Sequence, residues 1–214
     1  MKPIIFSTPM VKAILEGRKN QTRRVINWDK VSKFDIDRDG SLYGFEDGDG
    51  DLYDAKEFTQ SYARYKVGDI LYVREIWQIY ELIDVGGIRS ARVKFKDGTI
   101  GSRWIPLKHD FREHFKWRPS IHMPRVAARI FLRVTDVRVE RIQDITEEDC
   151  MAEGIYHFCP ADCPPCGGSD CTDYIVAYQN LWNKLNANRG YGWGDNPFCW
   201  VYEFEKISKE DANA

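Results

Sequence analysis

Long hydrophobic runs are absent from this chain of 214 residues. Nothing approaches the roughly 20 consecutive apolar residues that a membrane-spanning helix needs, so no membrane partner is expected. The opening MKPIIFSTPM holds one lysine and a short apolar run. It lacks the charged start and longer apolar stretch of a secretion signal, and a cytoplasmic protein is the expectation. Net charge is missing as well: 31 Lys and Arg stand against 33 Asp and Glu, a formal balance of −2. Such a chain has no global field to draw in a polyanion, so any binding of nucleic acid must come from local asymmetry. No internal repeat is visible.

The rest of the composition is ordinary for a soluble globular protein, 43% apolar and 30% charged, with aromatics on the rich side at 14%. The length suits one domain, or one domain with large insertions. Local asymmetry is present. Residues 34–57 hold nine acids against Arg38 and Lys56, whereas residues 112–141 hold eight bases against three acids. One basic face is expected, with an acidic excursion kept away from it. Six Cys in a cytoplasmic chain read as thiols or metal ligands before disulfides.

Residues 2–6 (KPIIF) read as a strand, and Thr8 as the N-cap of a helix with Pro9 at its first position and Gly17 at its end. Residues 27–66, rich in Asp and Gly, read as hairpins and loops. YKVGDILYVREIW (65–77) predicts a turn at Gly68-Asp69 and then a strand, and 91–95 a further short strand. KWRPSIHMPR (116–125) is pinned by Pro119 and Pro124 into extended backbone. Beyond it, Ile130, Leu132 and Val134 keep period two, and Val137 and Val139 continue one residue out of phase. A long strand that shifts its inward face carries a bulge or corner, as small barrels need. TEEDCMAEG (146–154) predicts a short helix with Thr146 and Asp149 as a capping box and Gly154 as the stop. Residues 172–187 suit an amphipathic helix, and NPFCWVYEFEKI a closing strand. The sum is an α+β chain with a barrel-like core, a single domain over 1–214 with insertions around 27–66, 96–125 and 156–172.

Two motifs point to metals. Asp35 to Glu46 fits the calcium-loop pattern D-x-D-x-D-G-x5-E at every fixed position. Such a loop needs a helix on each side, and Gly44, Gly48 and Gly50 all but exclude the second one, so an acidic hairpin around Asp39-Gly40 is the expectation. Cys159, Cys163, Cys166 and Cys171 stand close enough to close a tetrahedral zinc site, which would be structural because four sulfurs leave no open position. Free thiols in an exposed insertion, or disulfides, are the alternatives. No cofactor is expected for chemistry. Cys150 and Cys199 read as ordinary buried residues.

EGRKNQTRR (16–24) crowds Arg18, Lys19, Arg23 and Arg24 around Thr22. A threonine hydroxyl becomes a nucleophile only when a base takes its proton, and a lysine desolvated beside other cations can have its pKa lowered enough to do so. A carboxylate would complete the set as proton shuttle. Glu153 is the candidate: it sits in the last turn of its helix, where the dipole disfavours an anion, so a compensating cation is expected beside it. The plain alternative for each is a capping or surface charge. Arg18 and Arg23 in particular read as solvated.

AILEGRKNQTRR, YKVGDILYVRE, ITEEDCMAEG and FCWVYEFEKI occur in the order seen in ASCH-domain proteins, which this chain resembles. KWRPSIHMPR and GYGWGDNPF look like the longer members found in phages and prophages. The resemblance implies a fold similar to the PUA β-barrel and binding of RNA or nucleotides. Some small bacterial members deacetylate N4-acetylcytidine, and a ribonuclease activity is also attributed to the family. Their catalytic Lys, Thr and Glu match Lys19, Thr22 and Glu153, and Arg24 matches a basic position of the same motif. Asn20-Gln21 inside the motif and the greater length are departures.

Further candidates for the same cleft are Arg74 and Glu75, which can pair with each other, and Trp77 and Trp193 as stacking rings. Arg118, His122 and Arg125 join them on Pro-pinned backbone. His122 with Arg118 could activate a 2′-hydroxyl, as a ribonuclease requires; structural roles compete with each of these. Three functions follow: binding of RNA or a modified nucleobase in a basic cleft, amidohydrolysis of an acylated cytidine-like substrate, or a protein-interaction module.

Overall fold

The structure, a computed structural model, describes residues 1–26, 31–36, 42–47, 52–85, 88–101, 104–106, 116–155 and 173–213. It opens with β1 (Lys2–Ile5), α1 (Thr8–Leu15) and β2 (Gln21–Val25). Next come β3 (Val31–Ile36), β4 (Leu42–Asp47), β5 (Leu52–Asp54) and α2 (Ala55–Tyr62). Then follow β6 (Ile70–Arg74), β7 (Trp77–Val85), β8 (Ile88–Phe95), β9 (Ile105–Pro106) and the long β10 (Phe131–Arg141). The chain closes with α3 (Glu147–Ala152), α4 (Tyr174–Asn186), β11 (Phe198–Ile207) and α5 (Lys209–Asn213). The α+β class is as expected. Among the described residues the sheets are open and none closes into a barrel.

The chain divides into two compact units: Met1–Gly17, Asp69–Arg133 and Glu205–Ala214 form the first, Arg18–Gly68 and Val134–Phe204 the second. In the first, β1 runs parallel to β6, which pairs antiparallel with the start of β10 through Phe131↔Tyr72 and Arg133↔Ile70. β7, β8 and β9 form an antiparallel sheet whose inward residues, Trp77, Ile79, Val93 and Phe95, share a core with Met123 and Phe131. Ser7, not Thr8, precedes α1 as its N-cap, one residue ahead of expectation, and Gly17 ends the segment at φ +76. Pro119 and Pro124 do not hold 116–125 extended throughout. Each opens a single 3-10 turn, Ser120–His122 and Arg125–Ala127, because a fixed proline φ suits a helix start as well as a strand.

In the second unit the strand order is β10-β11-β2, which leaves β2 at an edge. β3, β4 and β5 form a separate antiparallel sheet. Asp35 and Glu46 lie in its first two strands, with Asp35 opposite Gly44, so strands and not helices flank the acidic motif; its residues 37–41 lie outside the described ones. α2 forms within the stretch expected as hairpins and loops. Its start is a full capping box between Asp54 and Glu57, and Phe58 anchors it by stacking on Tyr62 at 4.9 Å and on Trp200 at 5.3 Å. α3 and α4 share a core of Ile142, Ile145, Cys150, Tyr178, Trp182 and Cys199. The capping box of Thr146 and Asp149, the stop at Gly154 and the buried Cys150 and Cys199 are as expected.

Candidate functional site

Edge strands carry unpaired N–H and C=O groups, and on β2 side chains meet the Gln21 carbonyl and the Arg23 N–H. Just before β2, Lys19 forms an isolated antiparallel bridge with Glu153 at the end of α3. Its ammonium donates to the carbonyl of Gln21 at 2.6 Å, the carbonyl of Glu153 at 2.8 Å and Glu153 Oε2 at 2.7 Å. Three acceptors match the three N–H bonds of an ammonium. The other carboxylate oxygen, Oε1, accepts from the Arg23 backbone N–H at 2.5 Å and from the Tyr178 hydroxyl at 3.4 Å. Lys19 therefore holds the peptide group before Thr22, and Glu153 the one after it. All three are buried, at 2%, 4% and 3% exposure for Lys19, Thr22 and Glu153. Among the described residues no hydrogen bond engages the Thr22 hydroxyl.

The electrostatics follow from this burial. Desolvation lowers the Lys19 pKa below its ordinary value, with the Glu153 carboxylate opposing it. Desolvation also raises the Tyr178 pKa, so the phenol keeps the proton that it offers to Glu153. Glu153 caps a helix C-terminus, where an anion is disfavoured, and the expected compensating cation is present. Arg23 is not solvated: its guanidinium is fully buried, 2.8 Å from both Glu140 and Asp149 and 3.8 Å from Glu153. Arg18 is exposed and donates to the Gly154 carbonyl at 3.3 Å. Arg24 is exposed, opposite Trp200 in register.

A cavity of about 650 Å³ opens in the same unit, lined by Lys56, Thr59, Tyr65, Lys66, Val137 and Arg138 among others. Tyr65 meets Tyr202 edge-on with centroids 5.2 Å apart, and Tyr202 is the cross-strand partner of Thr22. Cross-strand partners share a sheet face, so Thr22 points to the side on which the Tyr202 ring reaches the cavity wall. Trp193 belongs to this unit too. It is half-buried, packs edge-on to Tyr178 at 6.4 Å, and donates its backbone N–H to Asn183 Oδ1.

The remaining candidates lie in the first unit. Trp77, 1% exposed in that unit's core, has no open face on which to stack a base; Arg118 lies 5.7 Å over its ring. Glu75 pairs with Arg129 and not with Arg74, through contacts of 2.9 and 2.6 Å, and Asp97 adds a third at 2.6 Å. Arg74 turns instead to the Ile121 carbonyl and the Tyr72 hydroxyl. The 3-10 turns remove the common direction expected of Arg118, His122 and Arg125: the last two are exposed, and Arg125 lines a cavity of about 220 Å³ with Trp104 and Lys209. Cys159, Cys163, Cys166 and Cys171 lie outside the described residues, among which no cluster suited to a metal ion occurs.

Sequence reasoning missed Tyr178, which sits on the apolar face of α4 and looks like any core aromatic until Glu153 is beneath its hydroxyl. It also missed the Arg129–Asp97 pair. Compared with known protein families, curated proteins and solved structures, the chain matches none.

Proposed function

We propose that this chain is an ASCH-related, PUA-like protein whose second unit takes up a nucleobase, as a modified nucleoside or within RNA. One observation carries the reading. Lys19 and Glu153, 134 residues apart and implied by the resemblance, meet at 2.7 Å and bracket Thr22. The cavity reached through Tyr65 and Tyr202 is within the size range of small-molecule sites. Its valines offer an apolar wall to a base, and Lys56 and Lys66 offer cations to a phosphate. Calorimetric titration with a panel of modified nucleosides and short RNAs tests this. At least one ligand should bind the intact protein and lose its binding in Val137→Trp, which fills the cavity. Silence across the whole panel defeats the proposal.

Amidohydrolysis of an acylated cytidine-like substrate is a second reading, favoured by the bracketing of Thr22. In it the Thr22 oxygen attacks the acyl carbon, Lys19 takes the hydroxyl proton, and Glu153 passes a proton to the departing amine; water then releases the acyl group as a carboxylic acid. An ammonium with every N–H engaged is no base, so Lys19 must first hand a proton to Glu153 across their 2.7 Å contact. Burial lowers the Lys19 pKa and so eases the loss of its proton. Nucleoside turnover that disappears in Thr22→Val and returns in Thr22→Ser is the expected result; turnover untouched in Thr22→Val removes this mechanism.

A further inference from the structure

The solvent face of β8 carries a ladder that neither the catalytic set nor the cavity uses. Along β8 the core side chains Ala91, Val93 and Phe95 alternate with Arg92, Lys94 and, one residue past the strand, Lys96. Period two sends these three cations to the opposite face, successive ones about 7 Å apart. Each has an aromatic ring beside it. Arg92 lies 6.0 Å from the centroid of Trp104, Lys94 5.8 Å from Tyr80 and Lys96 4.6 Å from Trp117. The three rings are 40%, 39% and 36% exposed. Tyr80 reaches this face through an irregularity of β7: the register shifts between Ile79 and Glu81, so Tyr80 and Glu81 both face solvent. Among the described residues, Glu81 is the acid that pairs with the ladder, 3.2 Å from Arg92.

We infer that this face, wholly within the first unit, is a track for single-stranded nucleic acid, with the three rings stacking bases and the cations meeting phosphates. Magnitudes favour a base over the resident cation. An exposed cation–ring contact is worth about 2- to 5-fold in an equilibrium, whereas a base stacked on a protein ring is worth about 5- to 150-fold. A base therefore displaces the ammonium, and the flexible lysine stem carries it to the adjoining phosphate. A paired duplex buries its base faces and gains only the charge term. An acidic peptide likewise meets the cations and leaves the rings unused.

The test uses the full chain and labelled 12-nucleotide single strands, RNA and DNA, read by fluorescence anisotropy over a salt series. Tyr80→Ala and Trp117→Ala should each weaken single-strand binding by about 5- to 150-fold. Lys94→Gln with Lys96→Gln should flatten the log Kd against log salt slope by about 1.4, two single-strand phosphate contacts. Because Tyr80, Lys96 and Trp117 are exposed and Lys94 is half-buried on the sheet surface, circular dichroism should not move and melting temperature should change little. The same duplex should bind more weakly than the single strand. Equal binding of duplex or polyglutamate, or ring variants without effect, overturns the inference. Nucleoside binding in the second unit should survive all four substitutions, so failure of the track and failure of the nucleobase site are read separately.

Discussion

Lys19 and Glu153 show how much one buried pair depends on having both members. Neither charge reaches water, and each takes hydrogen bonds that the other cannot replace. Removing Lys19 leaves the buried Glu153 carboxylate with only the more distant Arg23 at 3.8 Å, and removing Glu153 leaves a buried ammonium; breaking such a pair costs about 3–5 kcal/mol, while removing both together costs far less. Lys19→Met should therefore lower stability by about 3–5 kcal/mol. Lys19→Met with Glu153→Gln, which keeps an acceptor for the Arg23 N–H, should recover most of that loss. Urea denaturation of the two singles and the double gives the coupling, and losses that simply add mean the pair is not the unit described. At this scale the sequence was legible where a residue broke a local rule: Glu153 at a helix C-terminus demanded a cation, and Lys19 supplies it. Tyr178, Arg129 and Asp97 broke no rule. Their roles depend on partners far along the chain, which local pattern does not carry.

Elements were read well where their ends carry chemistry. The capping box and glycine stop of α3, the amphipathic α4 and the turn before β6 all follow from side chains within a few residues of each other. α2 was missed although its own Asp54–Glu57 capping box is written in the sequence, because the surrounding Asp and Gly pointed to hairpins. The two 3-10 turns were missed because proline is as much at home at a helix start as in extended chain. α3 carries an acid dependence. Asp149 caps it and also faces Arg23; burial works against its charge, but Arg23 and the Thr146 N–H outweigh it and lower its pKa. A carboxyl with a depressed folded pKa stabilises above its unfolded value of about 4 and loses that contribution as pH falls through the folded value. Asp97, lowered by Arg129 and Thr99 against the cost of its burial, acts in the same direction. Stability followed by thermal melts should thus be held above about pH 4 and fall below it. Asp149→Asn should be less stable near neutral pH and show a shallower acid limb, and an unchanged limb contradicts the assignment. Thr146→Ala should cost about 1 kcal/mol through the same cap.

For the whole molecule, composition and periodicity gave α+β but not the division into two units. Each unit is assembled from segments far apart in sequence, so pattern along the chain does not mark the boundaries. The boundaries fall inside strands: β10 passes from one unit to the other at Arg133–Val134, and β11 at Phe204–Glu205. A strand broken partway loses hydrogen bonds on both sides of the break, so unfolding of either unit frays strands that the other needs. The two units should therefore melt together even though each has its own buried aromatic core. Trp182→Ala, in the second core, should cost about 3–5 kcal/mol. In that variant the amides of β1 and β6, in the first unit, should lose protection from hydrogen exchange in step with those of β2. A biphasic melt in which β1 and β6 keep wild-type protection while β2 exchanges freely shows that the continuous strands do not couple the units, and that each unit keeps its stability to itself.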